Sequence, residues 1–195
     1  MAFSKLSLFL VVLACAIIFP SCPVHCNVKE DLLLKGINNY RKSMNLSELE
    51  KSETASCLAN EIADDIEDEP CSTADEFAGD PTRAVPRMVN FPKLLRKCDI
   101  DENTTVDGAI LPVCVPNLIT NLVLGNYTHS PYTKFVNDSK YSGAGVGSEE
   151  DWIILVLTTN KPSGSFSSAA TSLASFGVVQ VLVVSFFGLF LALLF

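Results

Sequence analysis

The chain of 195 residues carries 14 basic and 22 acidic side chains, which give it a formal net charge of −8 at pH 7. This length accommodates one domain with a sizeable core, and the negative charge disfavours nucleic acids and anionic lipid headgroups as partners. The hydrophobic fraction of 48% is raised by two apolar end segments, so it does not indicate an exceptional core.

The first 26 residues have the order of charge and hydrophobicity that is typical of a secretory signal peptide. A lysine precedes an uncharged run at 6–19, and Val24 and Cys26 occupy the small-residue positions before a cut. A membrane anchor is the alternative, but a span needs about 20 apolar residues and this run is shorter. We therefore predict that the signal 1–26 is removed and that the extracellular domain occupies 27–160.

Two amphipathic helices are predicted at the start of this domain. Apolar side chains recur at helical spacing over about 29–43 and again, opposite a row of acids, over about 48–68. This periodicity is typical of helices with one buried face. Ser47 followed by Glu50 fits a capping box at the start of the second helix, and Pro70 fits its end.

A loop and two further helices are predicted next. The stretch 71–91 contains one glycine and two prolines without a sustained period, which indicates a loop. A short helix follows in PKLLRKC. Another helix is predicted in PNLITNLVLGN, because Pro116 suits a first turn and Gly125 suits an exit.

Two late segments are predicted to be extended. They read YSGAGVG and WIILVLTTN, and the second is rich in β-branched residues. Helices first and a small sheet late indicate the α+β fold class in a single disulfide-stabilised domain.

The C-terminal stretch 161–195 has the pattern of a signal for a glycosylphosphatidylinositol (GPI) anchor. Such a signal combines small residues at the attachment site, a polar spacer and an apolar tail, and here the small residues and spacer precede an uncharged run at 176–195. A single-pass span normally has basic residues on its cytoplasmic side, and none follows this run. We predict a flexible stalk at 161–168, removal of 169–195, and a lipid anchor on the outer face of the plasma membrane.

Two cues disagree about the residue that receives the anchor. Ser163 leaves Phe166 to Ser175 as a spacer of the usual length. Ser168 begins the better triplet of small residues, Ser168-Ala169-Ala170. We rank Ser168 first, with Ser163 and Ser167 behind it.

Four cysteines remain once the signal is removed: Cys57, Cys71, Cys98 and Cys114. An even count in a secreted chain indicates disulfides. The shorter, independent loops favour Cys57–Cys71 and Cys98–Cys114, although the sequence alone does not choose among the three pairings. Zinc is the alternative, but no pair has CxxC spacing, so no metal is expected.

Four N-x-S/T sequons follow the signal, at Asn45, Asn103, Asn126 and Asn137. Four sequons in a chain with a signal peptide predict a glycoprotein, in which each modified asparagine lies at the surface.

Three stretches resemble ligand motifs and are better explained without a ligand. The acidic run at 64–69 is explained by a solvated helix face. The stretch DIDENTTVDG begins like a calcium loop, but Thr104 stands where glycine is required and Ile110 occupies the twelfth position. In GAGVG, the acids that follow would repel a phosphate, which favours a glycine-rich strand packed close to another backbone.

The residues available for nucleophilic catalysis are few. His129 is the only histidine after the signal, the cysteines are predicted to be oxidised, and there is no G-x-S-x-G elbow. Nucleophilic catalysis needs a base beside the nucleophile. We interpret His129 as a surface histidine and predict neither a catalytic residue nor a cofactor.

Three blocks carry a family resemblance: LLLKGINNYRKSMNLSELEKSETASCLANEIAD, GAILPVCVPNL and KYSGAGVGSEEDWIILVLTTNKPSGSF. They resemble the plant family of small uncharacterised GPI-anchored membrane glycoproteins, over essentially the whole chain. The resemblance implies plasma-membrane location, glycosylation and no established activity.

A more distant resemblance links the chain to the CAP domain of cysteine-rich secretory, antigen 5 and pathogenesis-related proteins. It is carried by INNYRKSMNLSELEKSETASCLANEIA, which is similar to the first two helices, and by YSGAGVG and DWIILVLTTN, which are similar to the late strands. The resemblance implies an α-β-α sandwich, and some CAP domains bind sterols or lipids. Their cleft typically carries two histidines and two acids that can hold a metal. This chain has His129 alone, so a CAP-like cleft here is degenerate.

We therefore predict a non-enzymatic cell-surface glycoprotein that binds a wall component, a peptide, a lipid or a neighbouring receptor. The alternative is an extracellular hydrolase acting on lipid or cell-wall polymer, with two carboxylates of the acid-rich helix as acid and base. That chemistry needs a controlled separation of the carboxylates across a cleft, which the sequence does not supply.

Overall fold

The computed structural model describes residues 28–73 and 90–168. The predicted signal peptide, the predicted GPI tail and most of the predicted loop at 71–91 lie outside the described residues. No helix within the two described ranges is both long and apolar enough to span a bilayer.

The described residues form five α-helices and four strands. The helices are α1 (Val28–Ser43), α2 (Glu53–Asp65), α3 (Phe91–Lys97), α4 (Thr120–Thr128) and α5 (Thr133–Val136). The strands are β1 (Glu50–Lys51), β2 (Ala109–Cys114), β3 (Tyr141–Glu149) and β4 (Trp152–Thr159). Short 3-10 turns lie at Cys71–Thr73, Glu102–Thr104, Pro116–Leu118 and Pro162–Gly164.

The first helix is confirmed, but the second begins later than its periodicity predicted. Glu50 pairs in parallel with Gly143 of β3, so it belongs to β1 and takes no part in a capping box. Ser52 is the actual N-cap, and its hydroxyl accepts a hydrogen bond from the Ala55 amide at 3.3 Å. The helix ends at Asp65, before Pro70.

The helix predicted in PNLITNLVLGN is interrupted. Asn117 and Leu118 adopt left-handed conformations with φ of 59° and 50°, which end a 3-10 turn before α4 begins at Thr120. Gly125 was predicted as the exit, but α4 continues through it to Thr128. The short helix in PKLLRKC is confirmed as α3.

A four-stranded sheet has the order β1-β3-β4-β2. The two predicted extended segments are confirmed as β3 and β4, which pair antiparallel. The edge strand β2 pairs antiparallel with β4 and includes Pro112, a residue that sheets accept at an edge. It was not predicted as a strand.

Helices cover both faces of the sheet, so the fold is an α-β-α sandwich. Ile153, Leu155 and Leu157 of β4 pack in a core with α1, α4 and α5. Trp152, Ile154 and Val156 pack in the second core, with α2 and α3. The α+β class and its CAP-like layering are thus as the sequence predicted.

The glycines of β3 allow α2 to lie directly on the sheet. A Cβ atom on Gly145 would lie 2.1 Å from the Ala55 carbonyl carbon, and one on Gly147 would lie 2.2 Å from the backbone nitrogen of Asn60. Real Cβ atoms do not approach backbone this closely. The interpretation of GAGVG as a glycine-rich strand packed against another backbone is therefore confirmed.

The disulfide pairing favoured from loop length is wrong. The bonds join Cys57 to Cys98 and Cys71 to Cys114, across 41 and 43 residues respectively. Because α2 and α3 pack side by side on one face of the sheet, Cys57 lies opposite Cys98. The second bond ties the turn after α2 to the end of β2.

The segment 161–168, predicted to be a flexible stalk, packs against the domain. The Phe166 side chain is fully buried in the core that also contains α2 and α3. The composition of the segment indicated a linker because serine and glycine outnumber its one aromatic residue. That aromatic residue holds the segment in place.

Candidate functional site

An open groove of about 310 Å³ lies where the N-terminus of α1 meets the far end of β3. It is lined by Lys29, Leu118, Ser148, Glu149 and Glu150. The hairpin between β3 and β4 turns tightly here, and Glu150 has a φ of 47°. The fold thereby places two consecutive carboxylates on the rim of the groove.

Hydrogen bonds join the three parts of this rim. The Ser148 hydroxyl donates to Glu30 Oε1 of α1 at 3.1 Å. The Asn117 amide donates to Asp151 Oδ1 at 2.7 Å, and the Val115 amide donates to the Asp151 carbonyl at 2.8 Å. The hairpin is therefore tied both to the helix and to the turn that precedes α4.

The acidic run at 64–69 lies close to the same hairpin. Partial burial and then the carboxylates of Asp64, Asp68, Glu149 and Glu150 raise the pKa of Glu67. Among the described residues no group of three or more histidine, cysteine or acidic side chains has a geometry that could hold a metal. The acidic run and the hairpin carboxylates are instead close enough to act on one another, and such a group of acids attracts cationic groups.

The calcium-like stretch that begins at Asp99 serves as a local cap. Asp101 Oδ1 accepts hydrogen bonds from the Asn103 amide and from Asn103 Nδ2, both at 2.9 Å. Its carboxylate thus closes the turn at Glu102–Thr104.

A much smaller cavity of about 10 Å³ lies between α1, β1, α2 and β3. It is lined by Glu30, Asp31, Leu34, Lys51, Ser56 and Val146. Lys51 and Asp31 form an ion pair at 3.0 Å across it, which links β1 to α1. The cavity is too small for an organic ligand, so the groove is the larger candidate site.

His129 lies at the C-cap of α4 and its side chain is exposed. Its Nδ1 lies 2.8 Å from the Thr128 hydroxyl, which donates its own proton to the Leu124 carbonyl at 2.8 Å. Nδ1 must therefore be the donor to Thr128. A histidine that donates to a hydroxyl does not activate that hydroxyl as a nucleophile.

The four sequon asparagines differ in exposure. Asn45, Asn103 and Asn126 are exposed, whereas Asn137 is half-buried. The Asn137 side-chain amide donates to the Tyr40 hydroxyl at 3.3 Å, and its Oδ1 is buried with no hydrogen-bond partner. Asn137 is therefore the least accessible of the four sequon asparagines.

Arg41 is a buried residue that the sequence analysis missed. Its side chain is 0% exposed. It donates to the carbonyls of Ser47 at 2.9 Å, Val136 at 2.6 Å, Asp138 at 3.2 Å and Tyr141 at 3.1 Å. Desolvation lowers the pKa of Arg41, and the Asp138 carboxylate opposes that shift.

A positional signal for Arg41 was present in the sequence. It follows Leu33 and Ile37 at steps of four residues, on the stripe of α1 that faces the core. Its charge masks this signal, because arginine is rarely fully buried.

Comparison with known proteins identifies similar chains. The family described as "Uncharacterized GPI-anchored protein At5g19230-like domain" matches residues 30–157. The Arabidopsis thaliana protein named "Uncharacterized GPI-anchored protein At3g06035" is 47% identical over 172 residues, which cover 87% of this chain and 84% of that protein.

Solved structures resemble the chain in fold alone. An extracellular protein containing an SCP domain from Bacillus anthracis has a TM-score of 0.52 at 15% identity, with 69% of this chain and 41% of that chain covered. An outer surface protein from Borrelia burgdorferi has a TM-score of 0.50 at 15% identity, with 71% of this chain and 97% of that chain covered. The match thus spans about two fifths of the Bacillus protein. Both resemblances agree with the CAP-like layering.

Proposed function

We propose, from the premise that this chain belongs to the At5g19230-like family of GPI-anchored proteins, that it displays a binding domain on the outer face of the plasma membrane. Attachment to a membrane through a lipid anchor follows from the family. The outer face and glycosylation are supported by the predicted signal peptide and by the exposure of Asn45, Asn103 and Asn126.

The observation that carries the binding role is the groove beside α1. It is open, its rim is tied by hydrogen bonds, and Glu149 and Glu150 line it. We take its partner to be a basic segment of a peptide or a neighbouring receptor, since a negative rim repels anionic headgroups and acidic polymers.

The GPI anchor is tested on intact plant cells that express the full chain with an epitope tag placed just after the signal peptide. Treatment with a phosphatidylinositol-specific phospholipase C should release the tagged protein into the medium. Retention in the membrane after the enzyme has released a known GPI-anchored control would contradict the anchor.

The binding role is tested by proximity labelling on the same cells. The double substitution Glu149→Lys and Glu150→Lys should abolish labelling of the wild-type partners by reversing the charge of the rim. The matched control is Glu48→Lys with Glu102→Lys, which makes the same charge change at two exposed positions outside the groove. Equal labelling by the two variants would exclude the groove as the binding site.

A non-catalytic role is supported by the names of the family and of the relative, neither of which states an enzymatic activity. It is also supported by the hydrogen bond that His129 donates to the Thr128 hydroxyl. The hydrolase alternative predicts turnover of lipid or wall polymer by the released protein. Turnover that His129→Ala abolishes would overturn the binding role.

A further inference from the structure

The last described residues distinguish among the three attachment residues that the sequence pattern allows, Ser163, Ser167 and Ser168. After β4 the chain turns through Pro162–Gly164 and runs back over the segment that precedes β2. Phe166 then enters the core as one of its largest fully buried side chains. Any cut before Phe166 removes this ring from the mature protein.

The Phe166 ring lies directly on the backbone of Gly108. A Cβ atom on Gly108 would lie 2.0 Å from Cε2 of the ring, so the glycine provides the space that the ring occupies. Phe166 has a φ of 51°, a left-handed conformation that is uncommon for a bulky residue and persists only where its surroundings hold it.

Hydrogen bonds hold the backbone on both sides of the ring. The Asp107 amide donates to the Ser163 carbonyl at 2.8 Å, and the Phe166 amide donates to the Thr104 carbonyl at 3.2 Å. Beyond the ring, the Asp101 amide donates to the Ser167 carbonyl at 3.1 Å. The folded domain therefore extends at least through Ser167.

We propose that the anchor is attached to the carbonyl carbon of Ser168, so that the packed segment leads directly to the lipid and no free stalk separates them. This inference rests on the proposed GPI anchor. Attachment at Ser163 would delete Phe166 together with the hydrogen bonds of Ser167. Attachment at Ser167 would join the lipid to the residue whose carbonyl accepts from the Asp101 amide, and it would remove Ser168.

The reaction is a transamidation. The peptide bond between Ser168 and Ala169 breaks, and the Ser168 carbonyl carbon forms an amide with the amine of the anchor's ethanolamine phosphate. A proton from that amine passes to the departing nitrogen of Ala169. No oxidant, reductant or net water is consumed.

The attachment residue is read by mass spectrometry. The full chain is expressed in plant cells, released with the phospholipase and cleaved after Glu150. The C-terminal peptide should end at Ser168 and carry ethanolamine phosphate with the remaining glycan. A peptide ending at Ser163 or Ser167 overturns this inference and leaves the anchor intact, whereas failure of release with residues 169–195 still present overturns the anchor itself.

An independent test compares two secreted forms that keep the signal peptide and stop after Ser168 or after Ser163. The melting temperature of the shorter form should be lower by about 10 °C, because it lacks a large buried aromatic. Phe166→Ala in the longer form should show most of that loss. Leu122→Ala, at an exposed apolar side chain, is the control and should change little. Equal melting temperatures for the two forms would overturn the inference.

Discussion

Replacement of Arg41 by methionine should destabilise the domain more than any exposed substitution. The guanidinium joins the Ser47 carbonyl to three carbonyls of the segment 136–141, and its bonds to Val136 and Tyr141 are fully buried. Methionine has a similar length and no donor. It removes the partners of these carbonyls while it still fills the space.

The magnitude follows from the carbonyls that lose a donor. A buried acceptor left without a partner costs about 1–3 kcal/mol, so the two buried carbonyls together cost about 2–6 kcal/mol. The Ser47 and Asp138 carbonyls are partly exposed, so water can replace the arginine there. Methionine avoids the desolvation cost of a buried guanidinium, which offsets part of the loss. The expected decrease in the free energy of unfolding is therefore about 2–4 kcal/mol.

The assay is equilibrium unfolding in urea of the secreted form that stops after Ser168. The matched control is Arg96→Met, the same chemical change at an exposed position of α3, which should alter stability by less than about 0.5 kcal/mol. Equal effects of the two substitutions would refute the structural role of Arg41. Arg41→Lys should recover only part of the loss, because an ammonium group does not reproduce the planar fork of donors.

Three further predictions use the same secreted form. Gly147→Ala should cost about 1–3 kcal/mol or more by forcing α2 off the sheet, whereas Gly125→Ala, with open space around it, should be neutral or stabilising in urea unfolding. Burial raises the pKa of Tyr127 well above its ordinary value, so the stability that the neutral hydroxyl contributes is complete below about pH 10 and is lost as the pH rises through the folded-state pKa. Tyr127→Phe should therefore be less stable at pH 7 and should lose less stability at alkaline pH. An unchanged slope of stability against alkaline pH would contradict this assignment. Cys71→Ala with Cys114→Ala should lower stability by about 2–4 kcal/mol and leave a Cys57–Cys98 linked peptide in non-reducing digests, whereas a scrambled linkage would contradict independent bonds.

Periodicity predicted the long elements of the fold and failed for the short ones. The apolar stripe of α1 and the branched run of β4 each extend over several repeats, so their patterns exceed chance. The two residues of β1 are too few to show alternation. The strand β2 is buried on both faces, so its sequence shows no alternation, and it contains Pro112, a residue type that is depleted in strands.

The disulfides and the packed C-terminal segment depend on contacts that sequence separation does not encode. Loop length favours near neighbours, but the helices that carry Cys57 and Cys98 meet only because both lie on one face of the sheet. Phe166 likewise needs the space above Gly108, which lies in a distant part of the chain. The rim of the groove, where Glu149 and Glu150 meet the start of α1, arises from the same long-range assembly.

The strand β4 is the shared wall of two cores, and this restricts how the family can vary in length. Its successive side chains alternate between the two hydrophobic clusters, and neither of its faces meets water. Inserting or deleting one residue within β4 would exchange the side chains of both cores at once. Length changes should therefore accumulate in the connections, while β4 keeps a fixed number of residues even where its aliphatic side chains are exchanged.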